Sequence, residues 1–291
     1  MESPRPWSAA AARAAGTSRS RRRGIEHVRL AHDVRVPLTD AVDRVELLGL
    51  LASALPADAA FSHDTAAALL GAPVDLPARP QIALTPRRVL PQHGWVDVHA
   101  RALTDVDVVA AGGLRVTSGA QTFLDLAARL PAAELTAVGD ALMRRGHLTA
   151  DHLTERLMRA GRVRGVVRAR AVAPLLTPLA QSRPESLMRY WLLASDLPTP
   201  EPQVPVHDRS GRVVAHGDLG YREWRTLLEY EGRQHADAEQ FDRDVDRYSL
   251  MATGDWLVLR FSRRHLRGPH VVVARTRAVL LNRGWRPGPP S

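Results

Sequence analysis

Two glutamates and a histidine follow one another closely in the segment 227–235, whose sequence is LLEYEGRQH. Glu229 and Glu231 stand two residues apart in a run that otherwise has the pattern of a buried strand, and Gly232-x-x-His235 follows at once. Burial of a carboxylate without a partner is costly. We therefore expect these carboxylates to have a function that compensates for their burial.

A third carboxylate, Asp218, is expected beside them. The segments 213–221 (VVAHGDLGY) and 226–231 (TLLEYE) have the pattern of strands, and the link between them is short enough for a hairpin. Alternate residues of a strand share a face, and opposed side chains of an antiparallel pair lie about 5 Å apart. Asp218 is therefore predicted beside Glu229, on the face toward which Glu231 also points.

Carboxylates that converge in this way predict a metal site. Mg²⁺ prefers oxygen ligands at about 2.0–2.1 Å, and a water molecule made more acidic by such an ion can attack a phosphodiester. We therefore predict that Asp218, Glu229 and Glu231 bind Mg²⁺ or Mn²⁺. His235 has the chemistry of a general base, or of a group that orients water.

The elements expected to hold these residues follow in the order α-β-β-β-α-β-α from residue 182 onward. Ser182-x-x-Glu185 is a capping box that opens a helix, so Glu185 has a complete structural role as well as a potential role at the site. Strands are predicted at QVPVH, VVAHGDLGY, TLLEYE and DWLVLRF. Helices are predicted over 238–254 and about 270–283.

This set of motifs resembles the PD-(D/E)XK restriction-endonuclease-like superfamily, in particular the branch of the very-short-patch-repair endonuclease. The similar motifs are a strand aspartate, a Glu-x-Asp-Gly-x-x-His segment, an Arg-Asp-x-x-Arg helix and a Gly-Trp-x-Val-x-Arg-Phe strand. They correspond here to Asp218, 229–235, 243–247 and 254–261. The resemblance covers about residues 182–262.

The resemblance implies an α/β domain with an α-β-β-β-α-β core and a mixed sheet, which cleaves DNA with a metal ion. It implies catalytic roles for Asp218, Glu229, Glu231, His235 and, from the first core helix, Glu185. Arg243 and Arg247 lie one turn apart on a predicted helix and can contact phosphates together with Arg233. Glu239 and Arg243 also have the spacing of an ordinary i,i+4 ion pair on a solvated helix face.

The chain departs from the superfamily pattern at Glu231, where a lysine is expected. All 40 basic residues of the chain are arginine, so no lysine can take this place, and a Walker A lysine or a Schiff base is excluded as well. Two alternatives follow. Glu231 is an extra metal ligand while Arg233, Gln234 or His235 takes the part of the lysine, or the site binds without catalysis.

The rest of the chain is predicted to form three further segments. Residues 1–24 are expected to be a disordered basic arm, 25–180 a helix-rich α+β domain, and 286–291 a disordered tail, while 182–285 form the α/β domain. In the 25–180 region, SHDTAAALLG and RVTSGAQTFLDLA resemble AbiEi-type antitoxins. This resemblance implies a regulator with DNA or a toxin–antitoxin or defence protein as partner. His63 is expected to be a capping or packing residue.

Composition narrows the class of protein further. The net charge of +9 and the isoelectric point of about 11.1 suit a polyanionic partner such as DNA. The chain has no cysteine, which excludes disulfides and thiolate metal sites and favours a reducing compartment. No apolar run approaches the roughly 18 residues that span a bilayer. We therefore expect a cytoplasmic protein without a membrane partner.

Three functions are compatible with these patterns. The first is a Mg²⁺-dependent nuclease, and the second is a catalytically silent, nuclease-like and antitoxin-like module that binds DNA or a protein. The third is an interaction protein whose carboxylates form an acidic surface. A tight cluster of carboxylates in an arginine-rimmed cleft favours the first function, and carboxylates spread over an exposed edge favour the third.

Overall fold

The computed structural model describes residues 44–91, 94–207, 210–232, 249, 251 and 254–287, together with the backbone of three short strands nearer the N-terminus. The chain divides into two compact units. The first comprises 1–70 and 74–125, and the second 71–73 and 126–291. This division near residue 125 differs from the predicted one at 180–182. None of the helices in the described residues has the length and apolar character that a membrane crossing requires.

Among its described residues, the first unit has two sheets and two α-helices that lie wholly within it. A three-stranded antiparallel sheet has the order β1-β3-β2, and a five-stranded mixed sheet has the order β6-β5-β4-β8-β7. The elements are β1 (Trp7–Ser8), β2 (His27–Arg29), β3 (Val34–Pro37), α1 (Arg44–Ala52), β4 (Ala60–Phe61), α2 (His63–Leu69), β5 (Gln81–Leu84), β6 (Asp97–Ala100), β7 (Val108–Ala111) and β8 (Leu114–Thr117).

One feature of this unit differs from the sequence prediction. Strand β1 lies inside the segment expected to be a disordered arm, and it pairs with β3 through Trp7 opposite Arg35. The region 25–180, expected to be helix-rich α+β, contains six described α-helices and seven short strands, and its described strands lie in this first unit. The predicted strand at 81–84 and the short helix that precedes Gly71 are confirmed.

The second unit begins within α3 (Gly119–Ala127) and contains five further described helices and one sheet. The helices are α4 (Ala132–Arg144), α5 (Ala150–Arg159), α6 (Val166–Val172), α7 (Arg183–Leu193) and α8 (Pro269–Asn282). The strands are β9 (Glu201–His207), β10 (Val213–Tyr221), β11 (Thr226–Glu231) and β12 (Leu257–Ser262). These confirm the strands predicted from residue 182 onward and the last helix. The helix predicted over 238–254 falls mostly outside the described residues.

The sheet of the second unit is mixed, with the order β12-β11-β10-β9. The three strands β9, β10 and β11 are antiparallel neighbours, and β12 joins β11 in parallel. Leu228 packs with Met188 of α7 and Phe261 of β12 on one face, whereas Leu227 packs with Val204 of β9 on the other. The mixed α/β character of this unit is therefore established, with β11 buried on both faces.

A buried ion pair connects α4 to α7. The Arg189 guanidinium donates from Nη2 to both oxygens of Asp140, at 2.9 and 2.8 Å, and Ser186 Oγ donates to Asp140 Oδ2 at 2.7 Å. The backbone N–H of Thr177 supplies a further donor, at 2.8 Å from Oδ1. These contacts explain why the helices before residue 180 belong with the α/β unit.

Candidate functional site

The Asp218 side chain lies at the point where β10 meets β11. The register pairs Leu219 with Leu228, so Asp218 and Glu229 hold the next positions on two adjacent antiparallel strands, as predicted. The Asp218 carboxylate accepts a hydrogen bond from the Tyr230 backbone N–H at 2.8 Å. This contact attaches the Asp218 carboxylate to the strand that carries Glu229.

Glu229 occupies the interior of β11. Its residue is only 3% exposed, and alternation along the strand places its side chain on the face of Leu227 rather than on that of Leu228. Gly217 and Gly220 of β10 leave room on this side, because a Cβ at either would lie 2.7–2.8 Å from Leu227 Cδ2. The absence of a side chain at these two glycines therefore allows β10 to approach Leu227, which is buried and lies two residues before Glu229.

Glu185 reaches this region from the first turn of α7. It is 5% exposed, and its carboxylate accepts hydrogen bonds from Ser182 Oγ at 2.8 Å, from the Gln181 N–H at 2.8 Å and from Gln203 Nε2 at 3.2 Å. Burial raises the pKa of the Glu185 carboxyl, and the nearby charge of Asp218 raises it further; the Gln181 and Ser182 hydrogen bonds and the Arg144 charge act in the opposite direction.

The predicted capping role of Glu185 is confirmed only in part. The Ser182 side chain accepts from the Glu185 N–H, as a helix cap does, but the backbone N–H that reaches the carboxylate belongs to Gln181. The carboxylate also lies within electrostatic range of Asp218. Glu185 therefore caps α7 and borders the predicted site at the same time.

Glu231 behaves differently from the other acidic residues. It lies at the end of β11, where 38% of its side chain is exposed, and it forms an ion pair with Arg260 of β12. In the parallel register Arg260 stands opposite Glu229, so the guanidinium lies on the face of both glutamates. Arg260 belongs to the quoted motif 254–261 but was not predicted as a site residue; only the β11–β12 pairing reveals its position.

The predicted three-carboxylate metal group is not assembled in the structure as described. Among residues 44–91, 94–207, 210–232 and 254–287, no three histidine, aspartate or glutamate side chains are arranged to hold a metal ion. Glu231 is directed to Arg260, which separates its role from that of Asp218 and Glu229. The remaining predicted residues, Arg233, His235, Arg243 and Arg247, lie outside the described residues.

A second polar cluster, which was not predicted, lies in the first unit. The His63 and His99 rings stack with their centroids 3.8 Å apart. Arg101 donates from Nη2 to His63 Nε2 at 3.1 Å and from Nε to the buried Asp125 at 2.6 Å. Because a guanidinium can only donate, His63 Nε2 is the acceptor and its Nδ1–H donates to Ser62 Oγ at 2.9 Å. His63 is thus a packing residue, as expected.

A cavity of about 1050 Å³ lies along β6 in the first unit and is bordered by Arg79, Arg87, Arg88 and His99. It contains none of the acidic residues predicted for the site. This cavity is therefore not the arginine-rimmed cleft that was expected around the carboxylates.

The candidate site therefore consists of acidic residues carried by α7, β10 and β11 of the mixed α/β unit. No known protein family's sequence model matches the chain. Two proteins of Mycobacterium tuberculosis, MT2308 of strain CDC 1551 / Oshkosh and Rv2248 of strain ATCC 25618 / H37Rv, are each 27% identical over 223 residues. The match covers 75% of this chain and 81% of theirs.

A solved structure, that of the RV2827C protein from Mycobacterium tuberculosis, superposes on 63% of this chain and 75% of its own. The TM-score is 0.41 and the sequence identity is 20%.

Proposed function

We propose that the protein is a metal-dependent nuclease that cleaves DNA phosphodiester bonds. The observation that carries this proposal is the placement of three acidic residues on three neighbouring elements: Asp218 and Glu229 on adjacent strands, and Glu185 of α7 within electrostatic range of Asp218. Two of them are almost fully buried, and Asp218 and Glu229 hold neighbouring positions on adjacent strands. A divalent cation shared by Asp218 and Glu229 would offset the repulsion between such neighbouring carboxylates.

The donor set suits Mg²⁺ or Mn²⁺, because carboxylate oxygens are the ligands that hard cations prefer. Asp218 and Glu229 would hold the ion, and Glu185 would orient its water ligands. A bound ion of this kind supplies a more acidic water and offsets the charge that develops on the phosphate. The three hydrogen bonds received by Glu185 fix the direction of its carboxylate.

The arrangement of the second unit supports the finer proposal of a restriction-endonuclease-like core. Helix α7 precedes three antiparallel strands, and β12 then pairs in parallel with β11. That order brings a helix glutamate and two strand carboxylates to one region of the sheet. Arg260 is a candidate for the role of the superfamily lysine, because its guanidinium faces Glu231 at the position where the lysine is expected.

A cleavage assay with labelled duplex DNA tests the proposal. We expect the wild-type protein to cut in Mg²⁺ or Mn²⁺ and not in EDTA, and Glu229→Gln to be inactive, since the amide keeps the shape and removes the charge. Metal should also raise the melting temperature of the wild type, because ligands that bind the folded state stabilise it. Glu229→Gln should lose this rise.

The matched control is Glu201→Gln, which removes an exposed carboxylate of β9. In the wild type, this carboxylate pairs with Arg222. It should cut DNA and respond to metal as the wild type does. An equal response of Glu229→Gln and wild type to metal would show that Glu229 is not a ligand.

The second candidate function is a catalytically silent, antitoxin-like module that binds DNA or a protein. The observation that favours it is the ion pair of Glu231 with Arg260 at the position of the superfamily lysine, in a chain without lysine. A wild-type protein that binds DNA in metal, melts at a higher temperature in metal and leaves the DNA intact would support this candidate over the nuclease.

A further inference from the structure

The segment from the end of α5 through α6 to the start of α7 carries many positive charges and no negative ones. Between Glu155 and Glu185 the chain contains seven arginines and no aspartate or glutamate: Arg156, Arg159, Arg162, Arg164, Arg168, Arg170 and Arg183. All of these except Arg156 belong to exposed positions. Six of these seven arginines lie in α5, α6 and the loop between them, before Glu185 and the strand carboxylates in the chain.

The loop 161–165 (GRVRG) between α5 and α6 is held in a defined conformation. Both of its glycines have positive φ, +57° at Gly161 and +85° at Gly165, a region that favours glycine. A Cβ at Gly165 would lie 2.4 Å from the backbone nitrogen of Ala128, so the loop packs directly on the chain after α3. Arg168 reinforces this contact by donating to the Ala127 carbonyl at 2.8 Å.

Two arginines project from this loop. Arg162 and Arg164 are exposed, and neither forms an ion pair or hydrogen bond with another residue in the part of the chain that the structure describes. They stand two residues apart on a loop whose ends are fixed. Two cationic groups are thus presented to solvent from a preorganised backbone, which lowers the entropy lost when they bind an anion.

We propose that Arg162 and Arg164 bind the backbone phosphates of duplex DNA. Guanidinium groups match phosphate oxygens in geometry and charge, and no acidic residue lies in the segment to compete. This proposal deepens the proposed nuclease function, on which the choice of DNA as the partner rests, by adding a contact far along the chain from the carboxylates.

The composition of the segment decides between backbone phosphates and other anionic partners. No Phe, Tyr or Trp occurs between Arg145 and Arg189, so this surface lacks the aromatic side chains on which single-stranded bases stack. The loop 161–165 itself also lacks the Trp, Phe or Leu side chains that insert a loop into a lipid surface; the exposed large apolar residues of α5, the loop and α6 are Met158, Val163 and Val167. Contact with phosphates, without readout of bases, is the interaction that remains.

The test is the salt dependence of binding to a fluorescein-labelled duplex, measured by anisotropy in EDTA so that no cleavage occurs. Each phosphate contact contributes about 0.9 to the slope of log K against log salt on duplex DNA. The Arg162→Ala/Arg164→Ala double variant should therefore show a slope that is smaller by about 1.8. Replacement of both by lysine should retain the wild-type slope, because the charges remain. Binding should not depend on the DNA sequence.

The charge-matched control is Arg88→Ala/Arg275→Ala, which removes two exposed arginines elsewhere. A control slope that falls by as much as that of the loop variant would overturn the proposal, since the effect would then reflect net charge alone. An unchanged slope in the loop variant would overturn it too.

Binding to anionic lipid vesicles is measured for the same variants. If the loop variant loses binding to vesicles while its binding to DNA stays intact, the proposal is overturned. Melting temperatures should be equal in all variants, because these side chains are exposed.

The outcomes for the loop and for the nuclease are separable. A wild-type protein that cuts no DNA in Mg²⁺ or Mn²⁺ but shows the slope difference would refute the nuclease and retain the phosphate contact. Cleavage that requires Glu229, together with equal slopes for wild type and loop variant, would do the opposite.

Discussion

Asp140 and Glu185 are two buried carboxylates with opposite electrostatic surroundings. Asp140 lies on α4 and contacts α7, whereas Glu185 belongs to the first turn of α7 itself. Asp140 accepts hydrogen bonds at both carboxylate oxygens from Arg189 Nη2 and one more from the Ser186 hydroxyl. The donors of the three hydrogen bonds to Glu185 are all neutral. Burial raises its pKa, and the largest effect of a charge on this pKa is the upward one of Asp218, which exceeds the opposing effect of Arg144. A carboxylate whose counter-ion is built into the fold serves stability, and one placed beside a second carboxylate suits a cation from solution.

The largest expected effect comes from removing the counter-ion of Asp140. Arg189→Met should lower the free energy of unfolding by about 3–5 kcal/mol, because it leaves a buried charge without its partner. Urea denaturation gives the value. The double variant Arg189→Met/Asp140→Leu should recover most of the loss, since apolar residues of similar size often replace a buried ion pair without penalty. A single variant as stable as the wild type would contradict the structural role of this pair.

An intermediate effect is expected for the pair of Arg101 and Asp125 in the first unit. Asp125 is 4% exposed, whereas about a third of the Arg101 side chain is in contact with solvent. Arg101→Met should therefore lower the free energy of unfolding by about 1–3 kcal/mol, less than Arg189→Met. Arg222→Met is the control, because its pair with Glu201 is exposed on both sides and should contribute less than about 1 kcal/mol.

The comparison predicts an effect of the opposite sign for Glu185→Gln in EDTA. The amide oxygen can keep the bonds from Gln181 and Gln203, and the amide nitrogen can donate to Ser182 Oγ. The like-charge contact with Asp218 is lost, so the unfolding free energy should stay the same or rise, by no more than about 1 kcal/mol. Urea denaturation at neutral pH measures it. A clear loss of stability would place Glu185 with Asp140 among the structural carboxylates.

Much of the second unit was predictable from sequence, because its information is local. The capping box at Ser182, the alternation of TLLEYE and the short link before it indicate α7 and the β10–β11 pair, and from these the proximity of Asp218 and Glu229 follows. Two contacts were not predictable in this way. The approach of Glu185 to Asp218 depends on the packing of α7 against the sheet, and the pairing of Glu231 with Arg260 depends on a parallel register formed across a long connection.

The first unit was predicted less well, for a different physical reason. Strand β4 has two residues, which is too short for a period of two to be visible. The β7–β8 hairpin turns at Gly112 and Gly113, both with positive φ, and its second strand, β8, has four residues and leads almost directly into α3, so its alternating pattern is short. The cluster of His63, His99, Arg101 and Asp125 combines α2, the end of β6 and α3, so its assembly depends on contacts between elements that are distant in sequence.

The smallest expected effect concerns His99, whose pKa is lowered below its ordinary value by burial and then by the charge of Arg101, while Asp125 and Asp97 act in the opposite direction. Its Nε2 is buried and has no hydrogen-bond partner among the described residues, so a proton there would lack an acceptor. Below about pH 6.5 the unfolded chain therefore binds more protons than the folded one, and stability should fall as the pH decreases until His99 also titrates in the folded state. His99→Gln should flatten this part of the curve of unfolding free energy against pH, measured by urea denaturation between pH 7.5 and 5. Parallel curves for the two proteins would show that the cluster around Asp125 does not disfavour the charged form of His99, and would leave the Arg101 pair as its only electrostatic contribution to the fold.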